Sequence, residues 1–115
     1  MASETAAFFE RWNTDQQRLK ECTPDIARAF GGMFTAMMKE GALTVREKEL
    51  IALGIGLVAR CIPCINLHVE KCLKAGASRD QILEVAGVAV MMGGGPSFTH
   101  VPEIIQALDH LEASS

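Results

Sequence analysis

The chain has 115 residues, 49% of them hydrophobic and 22% charged, with a formal net charge of −3. That is one domain's length, 1–115, and too apolar a composition for disorder. The slight acidity and the scattered Lys and Arg residues argue against a nucleic-acid face.

No alternating strand pattern is present, and the apolar spacing predicts an all-α fold of about six helices. The N-terminus lacks a basic start followed by an apolar run, so no secretory signal is expected. The first helix is predicted over residues 4–20, with Phe8, Phe9, Trp12 and Leu19 as its apolar positions. Thr23 reads as an N-cap and Pro24 as the first residue of a second helix. That helix carries Ala27, Phe30, Phe34, Met37 and Met38 and stops near Gly41. Its Met-rich face reads as core or subunit interface.

Thr44 and Glu47 form a capping box that opens a third helix. From Leu50 to Ala59 this helix has no polar side chain. A helix apolar on every side needs cover on every side, so another subunit is expected to supply part of it. The stretch is too short to span a bilayer, and a soluble, cytoplasmic protein is expected. A fourth helix is predicted from Ile62 to Ala75, with Lys71 and Lys74 near its end and Gly76 beyond. Ser78 and Gln81 make a second capping box, and the glycines at 93–95 close the fifth helix. The last helix lies between Pro96 and Leu111, with Pro102 either kinking it or starting it.

The chemistry concentrates in "CIPCINLH", residues 61–68. Cys61 falls at the N-cap of the fourth helix and Cys64 in its first turn, where free N–H groups and the helix dipole favour thiolate. A separation of three places both sulfurs on one face, close enough for a disulfide. His68 follows Cys64 by one turn and is placed to exchange a proton with its thiol or with a substrate oxygen. The bland alternative is a pair of buried small side chains. A second alternative is a zinc site, since Cys61, Cys64, His68 and Cys72 make a C-x2-C-x3-H-x3-C series. On one helix, however, Cys61 and Cys72 would stand about 16 Å apart, so zinc would need a ligand from elsewhere, such as His100. No metal or cofactor is therefore expected. Cys72 and Cys22 read as structural thiols, and His100 and His110 are unassigned. Glu49 closes a charged run and directly precedes the apolar segment, a position suited to proton exchange.

Taken together, "LTVREKELIALGIGLVARCIPCINLHVEKCLKAGASRDQILEVAGVAV" resembles the carboxymuconolactone decarboxylase superfamily, in its alkylhydroperoxidase AhpD-like branch. The signature of that branch is a glutamate, a CxxC twelve residues on, and a histidine four after the second cysteine. Glu49, Cys61, Cys64 and His68 match it position for position. The resemblance implies a homotrimeric or homohexameric all-α protein that reduces hydroperoxides. In it Cys64 meets the peroxide and Cys61 resolves the sulfenic acid to a disulfide. His68 and Glu49 relay protons, and a dithiol donor, a lipoyl or thioredoxin-like protein, restores the pair. The named peroxidases of the branch are longer, with two related halves. The lactone decarboxylases lack the CxxC pair, so a non-redox decarboxylase or small-molecule binder is the contrasting reading, with a zinc-holding module as a third.

Overall fold

The computed structural model describes residues 3–113, and the secondary structure among them is helical throughout. Six long helices and one single turn follow in order: α1 Glu4–Cys22, α2 Pro24–Met38, α3 Val45–Val58, α4 Ile62–Lys74, α5 Arg79–Gly93, α6 Gly95–Phe98 and α7 Val101–Ala113. None is long and apolar enough to cross a membrane.

The core forms where α3, α4, α5 and α7 meet. Leu53 and Leu57 of α3, Ile65 and Val69 of α4, Ile82 of α5, and Ile104 and Leu108 of α7 are all removed from solvent. Each pair within a helix is spaced by four residues, which turns one stripe inward. Both predicted capping boxes are present, Thr44 with Glu47 and Ser78 with Gln81. They satisfy orphan N–H groups at the starts of α3 and α5 and so fix where the two core helices begin.

Thr23 is the N-cap of α2 and Pro24 its first residue, as expected, although the Thr23 hydroxyl donates to the Leu19 carbonyl of α1 at 2.7 Å rather than capping α2. Two boundary expectations need correction. Helix α2 ends at Met38 rather than near Gly41. Lys48, reaching from α3, donates to the carbonyls of Met37 and Lys39 at 2.8 and 2.6 Å, taking the place of a further helical turn. The last helix is divided: α6 closes after one turn, and Pro102 stands in the first turn of α7, where a missing N–H is harmless. Pro102 therefore starts the helix.

The cover that the apolar α3 requires comes only in part from its own chain. Ile55 is 65% exposed, and Ile51 and Val58 also face outward. Val58 lies beside Gly93 of α5, whose Val88, Met91 and Met92 extend the same apolar surface. Helix α2 buries no residue fully, and Phe30, Met33 and Met37 are open.

Gly93 packs against Ser97 of α6 and Val58 of α3. A Cβ added there would collide with Ser97 Oγ and stand 3.1 Å from Ser97 Cβ and 3.3 Å from Val58 Cγ2. Ser97 is fully buried, so its side chain cannot yield by moving into solvent. Gly93→Ala is therefore expected to destabilise the fold by about 1–3 kcal/mol, read as a lower urea midpoint with an unchanged slope.

Candidate active site

The loop between α3 and α4 sets the geometry of the thiols. Helix α3 ends in a Schellman motif: the N–H of Arg60 donates to Leu57 O at 3.0 Å and that of Cys61 to Gly56 O at 3.1 Å. The motif needs a left-handed residue, and Arg60 supplies it with φ of 55°. The end of α4 repeats the same bonds with Gly76 in that place. A side chain there is strained by roughly 1 kcal/mol relative to glycine, and the strain sits directly beside Cys61. The chain leaves the motif already positioned as the N-cap of α4.

Cys61 caps that helix with its sulfur, which accepts from the Cys64 N–H at 3.2 Å. Cys61 and Cys64 are joined by a disulfide, with Cα atoms 5.2 Å apart. Gly56 makes room for this turn. A Cβ at Gly56 would come within 3.2 Å of Cys64 Cβ, so a side chain there would press on the turn that carries the disulfide.

From the same helix α3, Glu49 reaches α4. Glu49 is 4% exposed, and its Oε1 lies 2.7 Å from His68 Nδ1. A carboxylate partner fixes Nδ1 as the protonated nitrogen and leaves Nε2 to exchange protons. His68 lies one turn beyond Cys64 on the same stripe of α4. The four predicted residues thus fall on two adjoining helices, with the acid–imidazole contact made and the two sulfurs bonded.

Three further residues attend the site. The Phe34 ring of α2 stacks on His68, centroids 6.2 Å apart, and Lys71 Nζ stands 5.2 Å from the Phe34 centroid. Helical spacing placed Phe34 on the apolar face of α2 but gave no sign that this face meets His68. Cys72, one turn past His68, is fully buried. Burial, and then the charge of Glu49, push its thiol up to about 12 from an ordinary 9.0. It therefore stays a thiol at neutral pH. Folding favours the protonated form, so this group's contribution to stability is full below pH 9 and declines as pH rises toward 12. Iodoacetamide at pH 8 should modify exposed Cys22 in the oxidised folded protein and reach Cys72 only after unfolding.

His100 and His110 stand apart from these contacts. His100 Nδ1 donates to Pro96 O at 2.8 Å, and His110 stacks on Phe9. Among the described residues, no group of three or more His, Cys, Asp or Glu side chains is arranged to hold a metal ion.

Residues 24–107 match the sequence profile of the carboxymuconolactone decarboxylase family, nearly the whole of the helical core and all four site residues. The chain belongs to that family. A carboxymuconolactone decarboxylase family protein of Legionella pneumophila, in its apo crystal structure, superposes with a TM-score of 0.87 at 30% identity, over 95% of this chain and 97% of that one. A family protein of Thermotoga maritima, suggested to be involved in an antioxidative response, gives a TM-score of 0.81 at 28% identity over 93% and 91%. An uncharacterized protein of Cupriavidus necator is 32% identical over 95 residues, covering 83% of this chain and 84% of the relative. The matches run across most of both partners, so the all-α arrangement is shared with these solved family members along nearly the full chain.

Proposed function

We propose that this family member is a thiol-dependent peroxidase and disulfide oxidoreductase of the AhpD-like type. The observation that carries the reading is a bonded Cys61–Cys64 pair at a helix start, one turn from an imidazole held at 2.7 Å by a buried carboxylate. The antioxidative role suggested for the Thermotoga maritima protein supports it.

The reaction starts from the reduced pair. The Cys64 thiolate attacks the terminal oxygen of a hydroperoxide; the O–O bond breaks, Cys64 becomes a sulfenic acid, and the alkoxide leaves. His68 Nε2 delivers the proton that makes the alcohol, while Glu49 holds Nδ1 and offsets the imidazolium charge. The Cys61 sulfur then attacks the sulfenic sulfur, expelling water and closing the disulfide. A dithiol, lipoyl or thioredoxin-like, reopens it by exchange. The N–H of Cys64 aimed at Cys61 favours that sulfur as thiolate, which suits Cys61 both to resolve and to leave.

In this reading the active unit is a cytoplasmic homotrimer or homohexamer. Its subunits cover the open apolar faces of α2, α3 and α5, where Phe30, Met33, Ile55, Met91 and Met92 are exposed. Light scattering should return three or six chain masses, and a monomer would contradict this part. For the chemistry, the reduced protein should consume cumene hydroperoxide and turn over with dihydrolipoamide. Activity of any kind that survives alkylation of both thiols would instead favour a non-redox reaction.

A further inference from the structure

Helix α2 is lightly attached to the body of the protein. Ile26, Phe30, Met33 and Met37 lie open, and even its deeper apolar side chains, Phe34 and Met38, are only half-buried. Phe34 nevertheless occupies a defined place. Its ring lies on the face of His68, with centroids 6.2 Å apart and planes 27° apart, within the range of an offset aromatic stack. Lys71 follows His68 by three residues in α4, and its Nζ stands 5.2 Å from the centroid of the same ring, close enough for cation–π attraction. One turn of α4 thus grips Phe34 through two side chains.

Helix α3 secures the arrangement from the other side. Lys48 donates to the carbonyls of Met37 and Lys39, just past Phe34 at the end of α2. Its neighbour Glu49 holds His68 Nδ1 at 2.7 Å. Adjacent residues of α3 therefore fix both the imidazole and the helix that covers it. The Glu49 bond reaches only the Nδ1 edge of the ring, and the His68 side chain keeps 18% of its surface open to water. A wall on the ring face keeps the charged pair drier, which strengthens the bond. It also limits rotation of the side chain, which would carry Nε2 off its line.

We infer that Phe34 is a positioning residue, whose ring holds the His68 imidazole in the orientation from which Nε2 delivers its proton. Its effect on rate rests on the peroxidase reading; its effect on the ring rests on geometry alone.

Two readouts keep these apart. In the resting oxidised protein, 15N–1H spectra should show a His68 Nδ1–H resonance sheltered from exchange, identified by its absence from His68→Gln. Phe34→Leu keeps apolar bulk without a flat face and should broaden that resonance beyond detection. With cumene hydroperoxide this variant should lose about ten- to a hundredfold in kcat, the scale of a misplaced catalytic group, with KM little changed. Phe34→Tyr should restore both the resonance and the rate. A sharp Nδ1–H signal in Phe34→Leu, whatever its urea midpoint, leaves Phe34 a merely structural residue and overturns the inference. So does the absence of the signal from wild type, an unchanged kcat in Phe34→Leu, or a change confined to KM. A wild type without turnover would refute the reaction, and a resonance then lost in Phe34→Leu and regained in Phe34→Tyr would still support the hold on the ring.

Discussion

Cys64→Ser is expected to lower the rate of hydroperoxide consumption by at least about a thousandfold, because the alcohol that replaces the thiolate is a far weaker nucleophile. Cys61→Ser should behave differently. It retains the attacking sulfur, so it should consume one equivalent of peroxide, hold Cys64 as a sulfenic acid that dimedone traps, and then stop. Fold stability has to be compared under reducing conditions. In the oxidised state either serine also removes a cross-link whose short loop stabilises the fold by about 2 kcal/mol, and a loss of activity there would mix two causes. Equal peroxide consumption by wild type and Cys64→Ser would end the proposed chemistry.

The second large effect lies at His68. Removing its ring deprives the buried Glu49 carboxylate of the partner at 2.7 Å. His68→Ala should therefore lose about 1.5–3 kcal/mol of stability, the cost of breaking a buried hydrogen bond to a charged group. It should also lose about 10²- to 10⁴-fold in turnover as the proton path disappears. The two losses separate in a double variant. Glu49→Gln keeps an acceptor for Nδ1 without the charge, so Glu49→Gln/His68→Ala should regain much of the stability and none of the activity. If the double variant is no more stable than His68→Ala, Glu49 is not the group left uncompensated. The measurements are urea midpoints for the four forms alongside their rates with cumene hydroperoxide.

Much of this site was legible because its parts are local. The capping boxes at Thr44 and Ser78, the glycine after α4 and the spacing from Cys61 to His68 all act within a turn or two, where helical geometry is fixed by the chain itself. The pairing of Glu49 with His68 is longer in range, and it followed from the family resemblance rather than from spacing. What escaped depended on contacts between elements. The early stop of α2 comes from a lysine on another helix. Thr23 starts α2 as its position suggests, but its hydroxyl turns back to the last turn of α1. Arg60 occupies a left-handed position that sequence rules assign to glycine. Phe34 was read as one member of an apolar stripe, and only the packing of α2 across α4 puts it on His68. The division of α6 from α7 falls between two prolines that both suit a helix start, and nothing local ranked them.

The most direct measurement follows the two sulfurs through a single turnover. Protein reduced and freed of reductant is mixed with one equivalent of cumene hydroperoxide, quenched, and mapped by peptide mass spectrometry. A loss of two hydrogen atoms confined to the peptide holding Cys61 and Cys64, with cumyl alcohol formed in equal amount, is the expected result. Intact thiols at both positions beside unconsumed peroxide would contradict the account.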